Sequence, residues 1–306
     1  MKILISGSSG LVGSALAKAL EAEGHTVGGL LRPGRQLAAC DVRWDPATGQ
    51  LDAAAMEGVD AIVNLAGASI GEGRWTAARK KILRSSRVDT TRLLVEGMRR
   101  LRQRPRVFIS ASAVGYYGDR GDEILTESSP PGNDFLAELA IEWEAEARRA
   151  EALGIRTVIS RFGVILAAHG GALPRMILPF RLGAGGRIGS GKQWMSWLTL
   201  EEAVEILRCA LATGSFEGPV NAVAPNAVTN ANFTRALARV LRRPAFFPAP
   251  AFALRLALGE MAGALLLSSQ RAAPKKLIKL EYSFRYSELE TALRSVLGRA
   301  EKQKVE

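Results

Sequence analysis

MKILISGSSGLVG, residues Met1 to Gly13, carries the most specific pattern in the chain. Residues 1–6 form a short apolar run that reads as a strand. The stretch after Gly13, SALAKALEAEG, has helical periodicity and stops at Gly24. Strand, glycine turn and helix in this order suit a phosphate-binding turn. Gly7 lets the chain turn tightly off the strand, Gly10 lets backbone amides approach a pyrophosphate, and Gly13 lets helix pack closely on strand. The helix start at Leu11, Val12 and Gly13 then offers free N–H groups and a positive dipole end. The glycine spacing is G-x-x-G-x-x-G rather than G-x-G-x-x-G.

The rest of the chain is consistent with this opening. Its 306 residues suit one large or two small domains, and 47% hydrophobic with 23% charged residues is ordinary for a globular protein. The net charge is +11, from 41 Lys+Arg against 30 Asp+Glu. Such a balance suits an anionic cofactor and substrate. The basic clusters at Arg99–Arg104 and Lys275–Lys276 lack interleaved aromatics and read as solvated faces, so no nucleic-acid partner is expected. Two cysteines, Cys40 and Cys209, argue for a reduced compartment, and a start directly on a core strand leaves no room for a signal peptide. A cytoplasmic location is expected. Residues 250–268 are apolar but hold Arg255 and Glu260, so they predict a packed amphipathic helix and no membrane partner.

Strands and helices alternate through the first two thirds. Strands are predicted at 25–31, 41–44, 59–66, 106–111 and 155–162. Helices are predicted at 75–101 and 134–153, the first with Ile82, Val88, Leu94 and Met98 along one face. Near-continuous apolar strands between helices imply a doubly wound, parallel, Rossmann-type α/β sheet. After about residue 165 glycines accumulate, and a helix (201–212), a strand (220–223) and helices at 232–241 and 252–267 follow. The expected division is a cofactor-binding domain over 1–165, with contributions from about 200–225. A smaller, mainly helical substrate lobe over 166–306 completes it, and the cleft between the two is the default substrate site.

Several blocks are similar to an extended short-chain dehydrogenase/reductase of the NAD-dependent epimerase/dehydratase superfamily, in its atypical "epimerase family protein" subgroup. They include Gly7, Gly10 and Gly13, Asn64-Leu-Ala-Gly67, Arg74-Trp75, Ser110-Ala-Ser-Ala-Val-Gly-Tyr-Tyr-Gly118, Ser160-Arg-Phe-Gly163 and Gly189-x-Gly191-x-Gln193-Trp-Met-Ser-Trp197. The resemblance implies that Asn64, Ala66 and Gly67 pass close to cofactor ribose and phosphate. It places Ser110 and Ser112 where a nicotinamide would lie, with a serine hydroxyl able to donate to a substrate carbonyl. Arg161 ends the sixth strand, where it could reach a phosphate or carboxylate. Gln193 and Trp197 could line a substrate pocket, although Thr199 stands where many relatives carry His.

Ordinary members of that family carry a Tyr-x-x-x-Lys pair on the helix after the fifth strand. The Tyr transfers a proton as hydride moves, and the Lys lowers its pKa. Here Phe135 or Leu136 stands at the Tyr position and Leu139 or Ala140 at the Lys position. Replacement proton donors are sought in Ser112 and in Tyr116 or Tyr117, with Tyr117 preferred, and a displaced cation in Lys80 or Lys81. With two His and two scattered Cys, no metal-ligand cluster can be built.

The second strand ends Leu30-Leu31-Arg32, with Arg35 close behind and no acid until Asp41. An NAD-selective site places an acid there, and a guanidinium suits a 2′-phosphate. NADP(H) is therefore expected over NAD(H), with Arg32 as its selector. Two readings follow. One is an oxidoreductase or epimerase-like enzyme of atypical mechanism on a small molecule, a nucleotide sugar among the candidates. The other is a catalytically silent NADP(H)-binding regulator or scaffold. A homodimer is compatible with either.

Overall fold

The computed structural model describes residues 1–299, so residues 300–306 of the expected C-terminal lobe lie outside the described residues. Its centre is an eight-stranded sheet: β1 (Lys2–Ser6), β2 (Thr26–Leu31), β3 (Val42–Asp45), β4 (Gln50–Leu51), β5 (Ala61–Asn64), β6 (Val107–Ala113), β7 (Arg156–Phe162) and β8 (Gly218–Ala222). The order is β8-β7-β6-β5-β1-β2-β3-β4. Every pairing is parallel except β3 with β4. The chain order reverses between β1 and β5, which opens the crevice where such sheets take their ligands.

Period-two alternation sorts the core. Ile3 and Ile5 of β1 face Leu16 and Leu20 of α1 (Leu11–Ala22), while Leu4 joins Ile62, Phe108 and Ile159 on the other face. There Leu94 and Met98 of a helix at Val88–Arg99, and Ala147 of one at Phe135–Arg148, cover the strands. Each such Leu, Ile or Phe gains about 1.5–3 kcal/mol from burial. The sheet is thus double-sided, as its apolar strands imply. A second core, with Leu173, Ile177, Phe233, Leu237 and Leu293, belongs to the helical C-terminal part.

Two predicted helices are broken. The stretch 75–101 divides into Ala77–Ser85 and Val88–Arg99. At the break the Ser86 hydroxyl accepts from Ala68 N and donates to Leu83 O, so the chain docks onto the loop after β5 instead of continuing its helix. The stretch 252–267 begins as a helix at Ala251–Leu258 and turns at Gly259, whose φ of +64° no L side chain adopts comfortably. No helix among the described residues is long and apolar enough to cross a membrane.

Candidate functional site

The glycine turn sits at the switch point, beside the register pair Ser6–Asn64. Gly7 has φ +71°, and a Cβ there would lie 2.8 Å from Leu65 O. A Cβ on Gly13 would lie 2.2 Å from Gly7 O, so this glycine is needed for α1 to pack on the turn. Gly10 differs: it is exposed, and a Cβ there would meet only Gly7 O, at 3.1 Å. A side chain at 10 would enter the open space in front of the turn. Gly10 is also the N-cap of α1, with no side-chain cap and no acid in the first turn. The amides of Leu11, Val12 and Gly13 have no carbonyl of their own helix to donate to. This cradle fits a pyrophosphate.

Arg32 ends β2 on the exposed surface, and among the described residues no carboxylate lies within ion-pair distance of it. Asp41 does return to the β2 edge. Its two oxygens accept from Gly29 N at 2.6 Å and Ala38 N at 2.8 Å, so the carboxylate is committed to backbone.

Asn64 is corrected from cofactor ligand to support. Its side chain is fully buried, with Oδ1 accepting from Ser6 Oγ at 2.6 Å and Nδ2 donating to Thr91 Oγ1 at 2.8 Å. Trp143 Nε1 donates to the same Thr91 oxygen, and Leu65 N and Ala66 N donate to Ser6 Oγ. The network fixes the loop that presents Ala66 and Gly67. Gly67 is exposed, with the Arg87 guanidinium packed against it. Burial, with Arg79 nearby, holds Arg87 down to about 10.

Ser112, Tyr117 and Arg161 are brought together, but in the interior. Arg161 is 1% exposed, and its Nε and Nη2 each donate to the Glu144 carboxylate at 2.8 Å. It reaches no open phosphate site. Burial opposes its charge, but Glu144 outweighs this and holds the guanidinium protonated above its usual range. Ser112, 3% exposed, donates to Glu144 Oε1 at 2.7 Å, which commits its proton. Tyr117 is fully buried, in reach of Thr126 O and Asn221 Oδ1 as acceptors, and accepts from Arg161 Nη1. Burial pushes its phenol up to about 12. Neither Ser112 nor Tyr117 is therefore the exposed proton donor that its position suggested. Ser110 is buried as well, with its hydroxyl turned to Ala111 O. Tyr116 lies over the Arg161 guanidinium, 3.5 Å from charge to ring centroid.

The expected substrate residues are also structural. Trp197 is 1% exposed and donates from Nε1 to Asn226 O. Gln193 donates to Ile188 O and Leu266 O, tying the glycine-rich segment to the C-terminal part. Thr199 caps the helix at Leu200–Ala212.

At the place of the missing Tyr-Lys pair stands a different group. Phe135 begins its helix, meets Trp75 edge-to-face at 5.3 Å and carries Lys80 Nζ 4.7 Å from its ring centroid. Lys80 pairs with Glu260 at 2.5 Å, bridging the sheet domain and the C-terminal part. The sequence marked Lys80 but not Glu260. A usable signal was there, since residues 218–259 contain no acid and Glu260 ends that run. Among the described residues no group of three metal-ligating side chains exists.

Residues 3–223 match the family described as NAD dependent epimerase/dehydratase, and residues 249–296 match a domain of unknown function, DUF1731. The chain is 42% identical to the epimerase family protein Mb2239 of Mycobacterium bovis, over 95% of this chain and 96% of the relative. It superposes on the human epimerase family protein SDR39U1, isoform 2, solved with NADPH. There the TM-score is 0.88 at 33% identity, over 98% of this chain and 100% of that one. It also superposes on a nucleoside-diphosphate sugar epimerase from Corynebacterium glutamicum, with TM-score 0.79 at 36% identity, over 97% of this chain and 58% of that one.

Proposed function

Because the chain belongs to the NAD dependent epimerase/dehydratase family, we propose that it binds NADP(H) and works as an atypical oxidoreductase or epimerase-like enzyme on a small molecule. One observation carries the cofactor reading: the uncapped, acid-free start of α1 at Gly10 follows β1, whose Ser6 pairs with Leu30 two residues before Arg32, a cation with no carboxylate partner among the described residues. The amides of Leu11, Val12 and Gly13 hold the pyrophosphate, and Arg32 holds the 2′-phosphate. The human relative solved with NADPH supports this choice. The bound cofactor supplies or accepts hydride.

The protein's part in proton transfer differs from that of ordinary family members. Phe135, Leu136, Leu139 and Ala140 carry no titratable group, and Ser112 and Tyr117 are committed to internal partners. Lys80, held over Phe135 and paired with Glu260, is the proton-bearing side chain assigned to the site. A nucleotide sugar is a candidate substrate, in keeping with the name of the Corynebacterium relative. The inward commitment of both hydroxyls favours a second reading, a cofactor-sensing protein that turns over nothing.

Fluorescence titration of the wild-type protein with NADPH and NADH tests the cofactor reading. Tighter NADPH binding by about tenfold or more is expected from one charged, bidentate contact. Equal affinities refute Arg32 as selector.

A further inference from the structure

We propose that the C-terminal lobe carries a docking surface for an anionic lipid bilayer. Two stretches that run from the last strands of the sheet into this lobe, residues 152–200 and 218–259, contain no Asp or Glu at all. They expose large apolar side chains instead: Leu182 is 74% exposed, Phe246 80%, Phe252 74% and Leu256 78%. Leu178 and Leu182 stand one turn apart on and just past the helix Leu173–Arg181. Phe252 and Leu256 do the same on Ala251–Leu258, a helix with no buried residue. Phe247 N donates to Gly185 O at 3.1 Å and Ala249 N to Arg187 O at 2.9 Å, so the segments around the two helices are stitched together.

The same segments carry Arg175, Arg181, Arg187, Arg242, Arg243 and Arg255, all exposed. Among the described residues none has a carboxylate within ion-pair distance. Apolar side chains inside a field of unneutralised arginines match the requirements of an interfacial surface. The aromatics and leucines enter the headgroup and acyl boundary, and the guanidiniums meet lipid phosphates. A second copy of this chain does not suit the face, because an isologous contact would set arginine against arginine with no acid to separate them. No spanning helix is needed, so the surface lies on the bilayer rather than in it. Arg74 Nη2 donates to Leu256 O, which links this helix to the loop after β5.

Co-sedimentation of the full chain with vesicles tests the proposal. Vesicles of equal parts phosphatidylglycerol and phosphatidylcholine should bind at least about tenfold more tightly than pure phosphatidylcholine, and added salt should weaken the binding. The double variant Phe252→Ser/Leu256→Ser should lose about tenfold or more while keeping the wild-type thermal transition. Arg242→Glu/Arg243→Glu should lose at least as much. Arg99→Glu/Arg100→Glu, the same charge change at the far end of the helix Val88–Arg99, should bind like wild type. Equal losses from both charge pairs, with no effect of the serine pair, would mean attraction by net charge alone and overturn the proposal. Failure to sediment with anionic vesicles also overturns it. Retention on polyglutamate that the same substitutions abolish would then assign the face to an acidic protein.

Discussion

Glu144 takes both a guanidinium fork from Arg161 and the hydroxyl proton of Ser112, with all three contacts between 2.7 and 2.8 Å. A buried ion pair of this kind contributes little net stability when intact but is costly to break, because the surviving charge stays buried and alone. Arg161→Met should therefore destabilise the fold by about 3–5 kcal/mol. A lower urea midpoint at unchanged slope is the expected reading. A double variant, Glu144→Gln/Arg161→Met, should recover part of the loss. An unshifted midpoint in the single variant would contradict the geometry.

Tyr117 extends the same network, and its titration has a defined sign. Burial raises its folded pKa to about 12, from an ordinary value of 10.0. The stability it contributes is therefore present below about pH 10 and lost as pH rises toward 12. Tyrosine ionisation followed by ultraviolet absorbance should show a late step. Of the four tyrosines, Tyr282, raised by burial and by Glu202, should also ionise late. Tyr117→Phe should remove one late step; loss of a step near the ordinary value of 10.0 instead would place Tyr117 in contact with solvent.

These residues show where sequence reasoning stops. The glycine turn was legible because its constraints are local: Gly7, Gly10 and Gly13 lie within one strand-to-helix connection. The alternation of Ile3, Leu4 and Ile5 was equally local. Ser112 and Arg161 are register partners on neighbouring strands, and the acid that engages both comes from a third element. Chain order places each at a strand end but does not show that Glu144 occupies the space between them. The helix break at Ser86–Arg87 was hidden for a similar reason. The periodicity runs through it, and only the docking of Ala68 onto Ser86 interrupts the chain. Trp197 and Gln193 look like pocket residues until the strand and loop contacts that consume them are seen.

Gly10 separates binding from folding. A Cβ at this position has a single close neighbour, Gly7 O at 3.1 Å, and the backbone at φ −79° accepts any residue. Gly10→Val should remain folded and lose NADPH binding. Gly13→Ala serves as the contrast, since its Cβ would overlap Gly7 O and impair folding itself. A folded Gly10→Val with wild-type NADPH affinity would show that the turn is not the phosphate site.

Arg32 should set cofactor preference. Arg32→Ala removes a charged contact worth about 1.5–3 kcal/mol, or roughly tenfold or more in NADPH affinity, and should leave NADH nearly unchanged. Arg35, also exposed, is the supporting candidate. A parallel loss for both cofactors would point to loop disruption rather than 2′-phosphate recognition.

Lys80 carries the catalytic prediction. Ser112 and Tyr117 have spent their protons on Glu144 and on internal oxygen acceptors, whereas Lys80 stands over Phe135 beside the place of the absent Tyr-Lys pair. Pooled aldehydes, ketones and nucleotide sugars would be screened with NADPH by loss of absorbance. For any substrate found, Lys80→Met should lower kcat by about 10²–10⁴, the usual range for a lost general acid. Glu260→Gln, which removes the carboxylate that holds Lys80 in place, should lower kcat less than Lys80→Met. Ser112→Ala and Tyr117→Phe should retain activity within a few-fold once their stability losses are corrected. Full activity in Lys80→Met would remove Lys80 from the mechanism, and a large kcat loss confined to Ser112→Ala would return the donor to the strand end. If wild type reduces none of these compounds yet NADPH raises its thermal transition, the cofactor-sensing reading takes precedence.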